Sequence, residues 1–283
     1  MASDNRFAVL IDADNVSVKY IKIILDEISK DGIATYKRIY GDWTNPSLIS
    51  WKSVLLDNSI NPIQQYSYTT GKNSTDSAMI IDAMDILYSG KVDGFCLVSS
   101  DSDFTRLAAR LRESGMTVIG MGESKTPNSF IAACNKFKYL DILSAADEEE
   151  PEEAPPAKKA APQKKAPQKK AAAAKKAKEE PKPEKEQKAE PKRQQQEEIE
   201  EPRTSLRTIR RALRTIVREN SDEDDWIIIG KIGNLLDKRY PDFDVRNFGF
   251  SKLTPFLESL DMFEIRDMKK DGNSSPQKYV RLK

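Results

Sequence analysis

Apolar and polar positions follow a regular order along the first half of the chain. Apolar runs at 7–12, 94–99 and 116–121 predict buried strands, and the patterns at 35–40 and 62–68 predict two more extended segments. Between them, apolar residues spaced three and four apart predict helices at 17–30, 46–57, 75–88, 102–114 and 127–135. Strands that alternate with helices at this rhythm predict a parallel sheet with right-handed crossovers and helices on both faces. Residues 1–146 are therefore expected to form one α/β domain.

The composition changes at residue 147. Residues 147–202 are rich in Lys, Ala, Pro and Glu, have no aromatic residue, and repeat the pentapeptide APQKK. Such a segment has too little apolar surface to offset the entropy lost on folding, which predicts a disordered linker. We expect the folded regions on either side of a solvated spacer to move semi-independently. An electrostatic tether for RNA, formed by the lysines of this segment, is the alternative interpretation.

Helical periodicity returns in residues 203–283. Apolar stripes predict three helices, around 206–217, 232–236 and 253–260, and the segments MFEIRD and QKYVRL predict a hairpin. Three short helices followed by a hairpin are typical of a small winged helix-turn-helix domain. This region holds 17 basic and 13 acidic residues, whereas the whole chain has a net charge of +1. The basic surplus favours a polyanionic partner.

Composition excludes several kinds of chemistry. The chain has no histidine, which removes Ser-His-Asp and Cys-His catalysis and every zinc site that contains histidine. Cys96 and Cys134 are too few for a four-cysteine zinc site, and we expect both to be buried, inert thiols. No signal peptide and no apolar run near 20 residues is apparent, which predicts a cytoplasmic protein without a membrane partner.

Two Asp-x-Asp triplets directly follow predicted strands. Asp12 and Asp14 end VLIDAD, and Asp101 and Asp103 end VSSDSD. Because ligands of open α/β sheets bind at the carboxyl ends of the strands, we expect these four carboxylates to share one rim. Asp76 lies in the first turn of a predicted helix, on its apolar stripe, where a carboxylate is costly unless it is paired or binds a metal. Each triplet alone is equally typical of a helix cap.

A site with only oxygen ligands suits Mg²⁺ or Mn²⁺. Such ions, held by carboxylates, activate water and stabilise the leaving oxygen in phosphodiester hydrolysis. The predicted catalytic residues are Asp12, Asp76, Asp101 and Asp103, and Asp14 is added as a fifth metal ligand. Predicted substrate-binding residues near them are Asn15, Lys72, Ser99 and Ser100.

Three blocks, FAVLIDADNV, KNSTDSAMIIDAMDILY and FCLVSSDSDFTRLAARLRESGMTVIGMG, resemble the NYN family of PIN-like nucleases. The resemblance spans residues 5–143, with the blocks in the family's order. It implies a Rossmann-like PIN fold, divalent-metal-dependent RNA cleavage, and metal-binding aspartates at Asp12, Asp76, Asp101 and Asp103. Ser100 stands where many members have glycine, which affects loop geometry but removes no ligand.

The segment DDWIIIGKIGNLLDKRYPDFDVRNFGFSKLTPFLESLDMFEIRD is similar to the OST-HTH/LOTUS domain. The resemblance implies a winged helix that binds RNA, including structured or G-rich RNA, and in some proteins a helicase partner. For RNA contacts in this domain we predict Lys231, Lys238, Arg239, Arg246 and Lys252, on or beside its second and third helices. The sequence leaves open whether the chain forms a homodimer.

Three functions fit these patterns. The first is a metal-dependent RNA endonuclease with a tethered RNA-binding module. The second is a non-catalytic RNA-binding or adaptor protein that keeps the NYN fold. The third is a phosphatase with Asp12 as nucleophile and Asp14 as acid, as in the haloacid dehalogenase superfamily, but that superfamily has no counterpart of the block around Asp76.

Overall fold

The computed structural model describes residues 5–66, 74–149, 204–222, 224–268 and 276–283. In the described part of the N-terminal region, six strands form one parallel sheet: β1 (Arg6–Asp12), β2 (Ile33–Gly41), β3 (Asn61–Gln64), β4 (Gly94–Val98), β5 (Thr117–Gly122) and β6 (Lys136–Tyr139). The helices that join and follow them are α1 (Ile21–Asp31), α2 (Trp51–Asp57), α3 (Ser74–Ser89), α4 (Thr105–Glu113), α5 (Asn128–Ala133) and α6 (Leu140–Glu149). The predicted α/β class with a parallel sheet is confirmed.

The core lies on both faces of the sheet, because successive residues of a strand point to opposite sides. In β1, Phe7, Val9 and Ile11 pack on one face with residues of α1, α2 and α6. Ala8 and Leu10 pack on the other face with residues of α3, α4 and α5. All five are at most 1% exposed, which explains why this strand reads as an unbroken apolar run.

The order of the strands places β1 and β4 at the centre of the sheet. The sequence of neighbours is β3-β2-β1-β4-β5-β6, so the chain moves outward from β1 to one edge and then from β4 to the other. The order reverses between β1 and β4, and such a reversal opens a crevice at the carboxyl ends of the strands. Asp12 is the last residue of β1, and Asp101 follows β4 by three positions.

The C-terminal region folds around three helices and a small sheet among its described residues. The helices are α7 (Leu206–Asn220), α8 (Ile229–Arg239) and α9 (Leu253–Ser259), and the strands are β7 (Ile227–Ile228), β8 (Phe263–Met268) and β9 (Gln277–Leu282). The predicted hairpin is present, since β8 and β9 pair antiparallel from Phe263–Leu282 to Met268–Gln277. A core that includes Ile209, Leu213, Leu236 and Phe256 joins the helices to the sheet.

Several element boundaries differ from the sequence prediction. The predicted helices at 17–30, 46–57 and 102–114 each begin with a short 3-10 turn, and the α-helix starts only at Ile21, Trp51 and Thr105. Strand β6 and helix α6 were not predicted. In β6 the residues KFKY alternate between Lys and aromatic residues over only four positions, a length at which periodicity carries little signal.

The two folded regions contact each other. The described residues of 1–150 and 201–283 belong to one compact unit. The Arg246 guanidinium donates to both carboxylate oxygens of Glu27 at 2.6 and 3.0 Å, and the Phe137 N–H donates to the Pro241 carbonyl at 2.7 Å. These contacts link residues more than 100 positions apart, which local periodicity does not detect. Of the predicted linker 147–202, residues 147–149 form the end of α6 and the rest lies outside the described residues.

Both cysteines behave as expected. Cys96 and Cys134 are free and fully buried. Burial raises the pKa of the Cys134 thiol to about 12 and that of Cys96 higher still, so neither forms a thiolate at neutral pH. Among the described helices, none has the length and apolar character needed to cross a membrane.

Candidate metal centre

Asp12 is the buried anchor of the rim. It ends β1 with 0% exposure, and its carboxylate accepts hydrogen bonds from the Asn15 side-chain amide and the Ser99 hydroxyl, both at 2.8 Å. The backbone N–H of Asp14 donates a third bond at 3.1 Å. Burial raises the pKa of Asp12, and the three hydrogen bonds oppose that rise. The carboxylate is thus fixed in one orientation at the centre of the sheet.

The loop after β4 is tied to the same anchor. The Ser99 hydroxyl, which donates to Asp12, accepts the backbone N–H of Asp101 at 3.1 Å. Asp101 in turn caps the 3-10 turn that starts at Ser102, since its side chain accepts the N–H of Asp103 at 2.9 Å. Ser99 therefore links the ends of two central strands and sets the position of Asp101.

Asp76 faces this loop from the first turn of α3. The residue is 9% exposed, on the side of the helix that buries Met79 and Ala83. Its position near the N-terminal end of a helix favours a negative charge. The next carboxylate along α3 has another role, because Asp82 forms an ion pair with Arg38 and a hydrogen bond with Tyr40.

The three elements bring one acidic cluster together. One carboxylate oxygen from each of Asp76, Asp101 and Asp103 lies within 4.8 Å of the others, which is the single such cluster in the described part of the chain. The pKa of Asp76 is raised to about 6, first by burial and then by the negative charges of Asp12, Asp101, Asp103 and Asp14. Five aspartates from three separate segments therefore act on one another electrostatically.

The cluster fits a small divalent cation. In octahedral Mg²⁺, ligand oxygens at about 2.1 Å from the ion lie roughly 3 Å apart when adjacent and about 4.2 Å apart when opposite. Oxygens within 4.8 Å of one another need only a small contraction to reach those distances. The donors are all carboxylates, which suit Mg²⁺ or Mn²⁺ rather than a softer ion. Asp76, Asp101 and Asp103 are the residues that could hold it.

Not every predicted site residue joins this cluster. Asp12 lies beside it, but both of its oxygens already accept hydrogen bonds, and Asp14 is exposed at the rim. Asn15 and Ser99 both bond Asp12, whereas the Ser100 hydroxyl accepts the N–H of Glu123 at 2.9 Å. Lys72 lies outside the described residues.

The basic residues predicted in the C-terminal domain have two different environments. Lys231, Lys238, Arg239 and Lys252 are exposed. The guanidinium of Arg246 forms ion pairs with the carboxylates of Glu27 and Asp244. The sequence shows Arg246 as one more basic residue, and only the fold reveals its partner Glu27.

Gly122, which was not predicted from the sequence, packs closely against the loop that follows β4. It ends β5, and a Cβ there would lie 2.6 Å from both the Ser99 carbonyl oxygen and the Thr126 hydroxyl. We expect Gly122→Ala to push the loop away from Asp12, lowering the free energy of unfolding by about 1–3 kcal/mol and reducing any activity of the site. Urea unfolding followed by circular dichroism measures this effect. Gly230→Ala is the matched control, since nothing lies within 4 Å of its Cβ position. Equal stability of the two variants would contradict the close packing under Ser99.

The raised pKa of Asp76 predicts a pH-dependent stability. A carboxyl whose pKa is about 6 when folded and 3.8 as a free group binds its proton more tightly in the folded state. Without metal, the protein should gain stability as the pH falls from 7 to 5 and lose it as the pH rises again. We expect Asp76→Asn to remove this slope and to melt higher than wild type at pH 7.5 without metal. Excess Mn²⁺ should raise the melting temperature of wild type at pH 7.5 but not that of the variant.

Thermal melts at several pH values, with and without Mn²⁺, check this prediction. Asp85→Asn, which changes an exposed aspartate of the same helix, is the control and should melt like wild type. A wild-type profile that is flat between pH 5 and 7 and unaffected by Mn²⁺ would contradict the proximity of the five carboxylates.

Comparison with known families identifies both folded regions. Residues 6–141 match the family model of the NYN domain, and residues 203–274 match that of the OST-HTH/LOTUS domain. The chain therefore carries an NYN domain, a member of a nuclease superfamily, followed by an OST-HTH/LOTUS domain, in the order that the sequence predicted. Together these domains support a nuclease-type or RNA-binding role.

Comparisons with individual proteins add little to this. A search of curated proteins finds no match. Among solved structures, the chain is similar to a protein of unknown function from Vibrio parahaemolyticus, with 20% identity and a TM-score of 0.42. The match covers 50% of this chain and 97% of that protein.

Proposed function

We propose that this protein is a divalent-metal-dependent RNA endonuclease whose OST-HTH/LOTUS domain binds the RNA. The observation that carries the proposal is the approach of Asp76, Asp101 and Asp103 within 4.8 Å at the reversal point of the sheet. Carboxylates this close repel one another by several kcal/mol at an effective dielectric constant near 20. Aspartates that served only as helix caps would not need to lie this close together, whereas a cation site requires several carboxylates at such distances. We place the activity in the cytoplasm, with Mg²⁺ or Mn²⁺ as the ion.

Each residue of the site has a distinct task in this proposal. Asp76, Asp101 and Asp103 supply the oxygen ligands. A divalent ion at this position would lower the pKa of a water and stabilise the leaving oxygen of a phosphodiester. Asp12 orients the loop through Ser99 and adds negative charge beside the ligands. We assign contact with the substrate backbone to Asn15, which is exposed at the rim and donates a hydrogen bond to Asp12.

The proposal is tested with purified full-length protein and a mixture of labelled RNAs. We expect cleavage with Mg²⁺ or Mn²⁺ and none with EDTA. RNA that is bound but not cut with either metal would replace the nuclease with a non-catalytic RNA-binding protein. Labelled phosphate trapped on Asp12 after incubation with a phosphomonoester would instead indicate a phosphatase.

A further inference from the structure

Helix α7 carries a column of four exposed arginines. Arg207, Arg211, Arg214 and Arg218 follow one another at intervals of four, three and four residues, and all four are exposed. At 3.6 residues per turn they fall within an arc of about 60°, and at 1.5 Å per residue the column is roughly 16 Å long. The opposite side of the helix buries Ile209, Leu213 and Ile216. The arginine column is therefore a solvent-facing surface, set in place by a well-packed apolar face.

The arginines of the column form no ion pair in the described part of the chain. No ion pair or hydrogen bond joins the side chains of these four arginines to another described residue, whereas the fifth arginine of the helix, Arg210, donates to the Leu260 carbonyl at 2.7 Å. Like charges three and four residues apart destabilise a helix. A glutamate at one of these positions would relieve the repulsion, yet the helix contains only Glu219, away from the column. Such uncompensated charge is expected of a surface that meets an anionic ligand.

The chemistry of the surface favours a phosphate backbone over a protein. The centres of protein interfaces are rich in apolar and aromatic residues. The exposed residues that flank the column are Thr208 on one side and Arg210 on the other, and the one exposed apolar neighbour, Leu206, lies at the end of the helix. Guanidinium groups form two parallel hydrogen bonds with phosphate oxygens, and a row of them follows a chain of phosphates without reading its bases. The surface thus fits a linear polyanion of regular charge.

We propose that the arginine column of α7 binds the phosphodiester backbone of RNA independently of base sequence. The inference deepens the proposed function and rests on it for RNA as the ligand. It places the main phosphate contacts on the first helix of the OST-HTH/LOTUS domain. The predicted contacts Lys231, Lys238, Arg239 and Lys252 lie on or beside α8 and α9 instead. The two surfaces are distinguished by separate variants.

The test measures binding of the full chain to short fluorescent oligouridylate and oligoadenylate in EDTA over a range of salt concentrations. Because EDTA removes the metal, binding is read whether or not the protein is a nuclease. We expect both RNAs to bind with similar affinity. The variant with Arg207, Arg211, Arg214 and Arg218 changed to Gln should bind about 100-fold more weakly near 0.15 M salt, and its log–log salt slope should shrink by about 3, at roughly 0.7 per contact. The corresponding Arg→Lys variant should keep most of the affinity, since the charge remains.

Two control variants test whether loss of positive charge elsewhere on the chain has the same effect. One changes Lys22, Lys52, Lys91 and Arg110, all exposed in the NYN domain, to Gln and removes the same charge. The other changes Lys231, Lys238 and Arg239 of α8 to Gln. Both should bind more tightly than the column variant, and circular dichroism should show all variants folded. Unchanged affinity and slope in the column variant would overturn the proposal. The proposal would also be overturned if the wild-type column bound polyglutamate while the column variant still bound RNA. That result would indicate an acidic protein as the ligand.

Discussion

Asp101→Asn should abolish metal-dependent RNA cleavage, with a rate loss on the order of 10³-fold or more, and leave the fold intact. The side-chain oxygen of Asp101 accepts the backbone N–H of Asp103 and so caps the following turn. Asparagine keeps that hydrogen bond, because its carbonyl oxygen caps helices as well as a carboxylate does. It removes the negative charge that a divalent ion needs. The substitution therefore tests the role of Asp101 as a metal ligand without removing its role as a cap.

Cleavage is measured under single-turnover conditions with saturating Mn²⁺, and RNA binding is measured in EDTA. Asp85→Asn is the matched control, because it makes the same chemical change at an exposed position of α3. The control should cleave at the wild-type rate, and all three proteins should bind RNA alike without metal. Undiminished cleavage by purified Asp101→Asn protein would refute the assignment of this residue as a ligand.

Arg246→Ala should give the largest loss of stability, lowering the free energy of unfolding by about 2–3 kcal/mol. The carboxylate of Glu27 is 4% exposed and accepts two hydrogen bonds from Arg246. Removal of the guanidinium leaves the buried Glu27 carboxylate with Lys30 and Lys138 as its ion-pair partners among the described residues. These two lysines keep the loss at the lower end of the range for broken buried pairs. Because the pair joins the NYN and OST-HTH/LOTUS domains, its loss should also separate their unfolding transitions.

The same pair predicts acid sensitivity. Burial alone would raise the pKa of Glu27, but the bonds from Arg246 and Lys30 and the charge of Lys138 outweigh it and hold the pKa well below its ordinary value of 4.5. A lowered pKa stabilises the folded protein above pH 4.5, and this contribution is lost as the pH falls further. Urea unfolding at pH 7 and pH 3.5 measures this contribution. The free energy of unfolding should differ less between the two pH values in Arg246→Ala than in wild type.

Lys238→Ala is the control for this prediction, since Lys238 is exposed on α8 and should change stability by less than about 0.5 kcal/mol. An Arg246→Ala protein that unfolds like wild type, in one transition at the same urea concentration, would show that the ion pair contributes nothing to the compact unit.

Most of the fold could be predicted because the residues of its core form apolar runs and helical stripes that are visible in short stretches of sequence. Strands β1 and β4 are buried on both faces and read as apolar runs, and α3 and α7 have long apolar stripes. Strand β6 was not predicted because it is only four residues long and is an edge strand of the sheet. The docking of the two domains escaped it for a different reason: Glu27 and Arg246 are 219 positions apart, and neither stands out among the charged residues of its helix or turn.

The candidate site shows the same division. Asp76, Asp101 and Asp103 were found from their places after strands and on an apolar helix face, and the structure brings them together. The hydrogen bonds of Asp12 to Asn15 and Ser99 were not predicted, because they depend on the spacing of two neighbouring strands. The arginine column of α7 was overlooked, although its four-three-four spacing is visible once the helix is placed.

The most direct measurement is a crystal structure of the full chain soaked with Mn²⁺, with data collected at the manganese absorption edge. We expect an anomalous peak between Asp76, Asp101 and Asp103, about 2.0–2.3 Å from one oxygen of each. The peak should vanish in Asp101→Asn crystals soaked in the same way. A soaked wild-type crystal with no peak at this position, or with the three carboxylates turned apart, would contradict the metal centre on which the nuclease proposal depends.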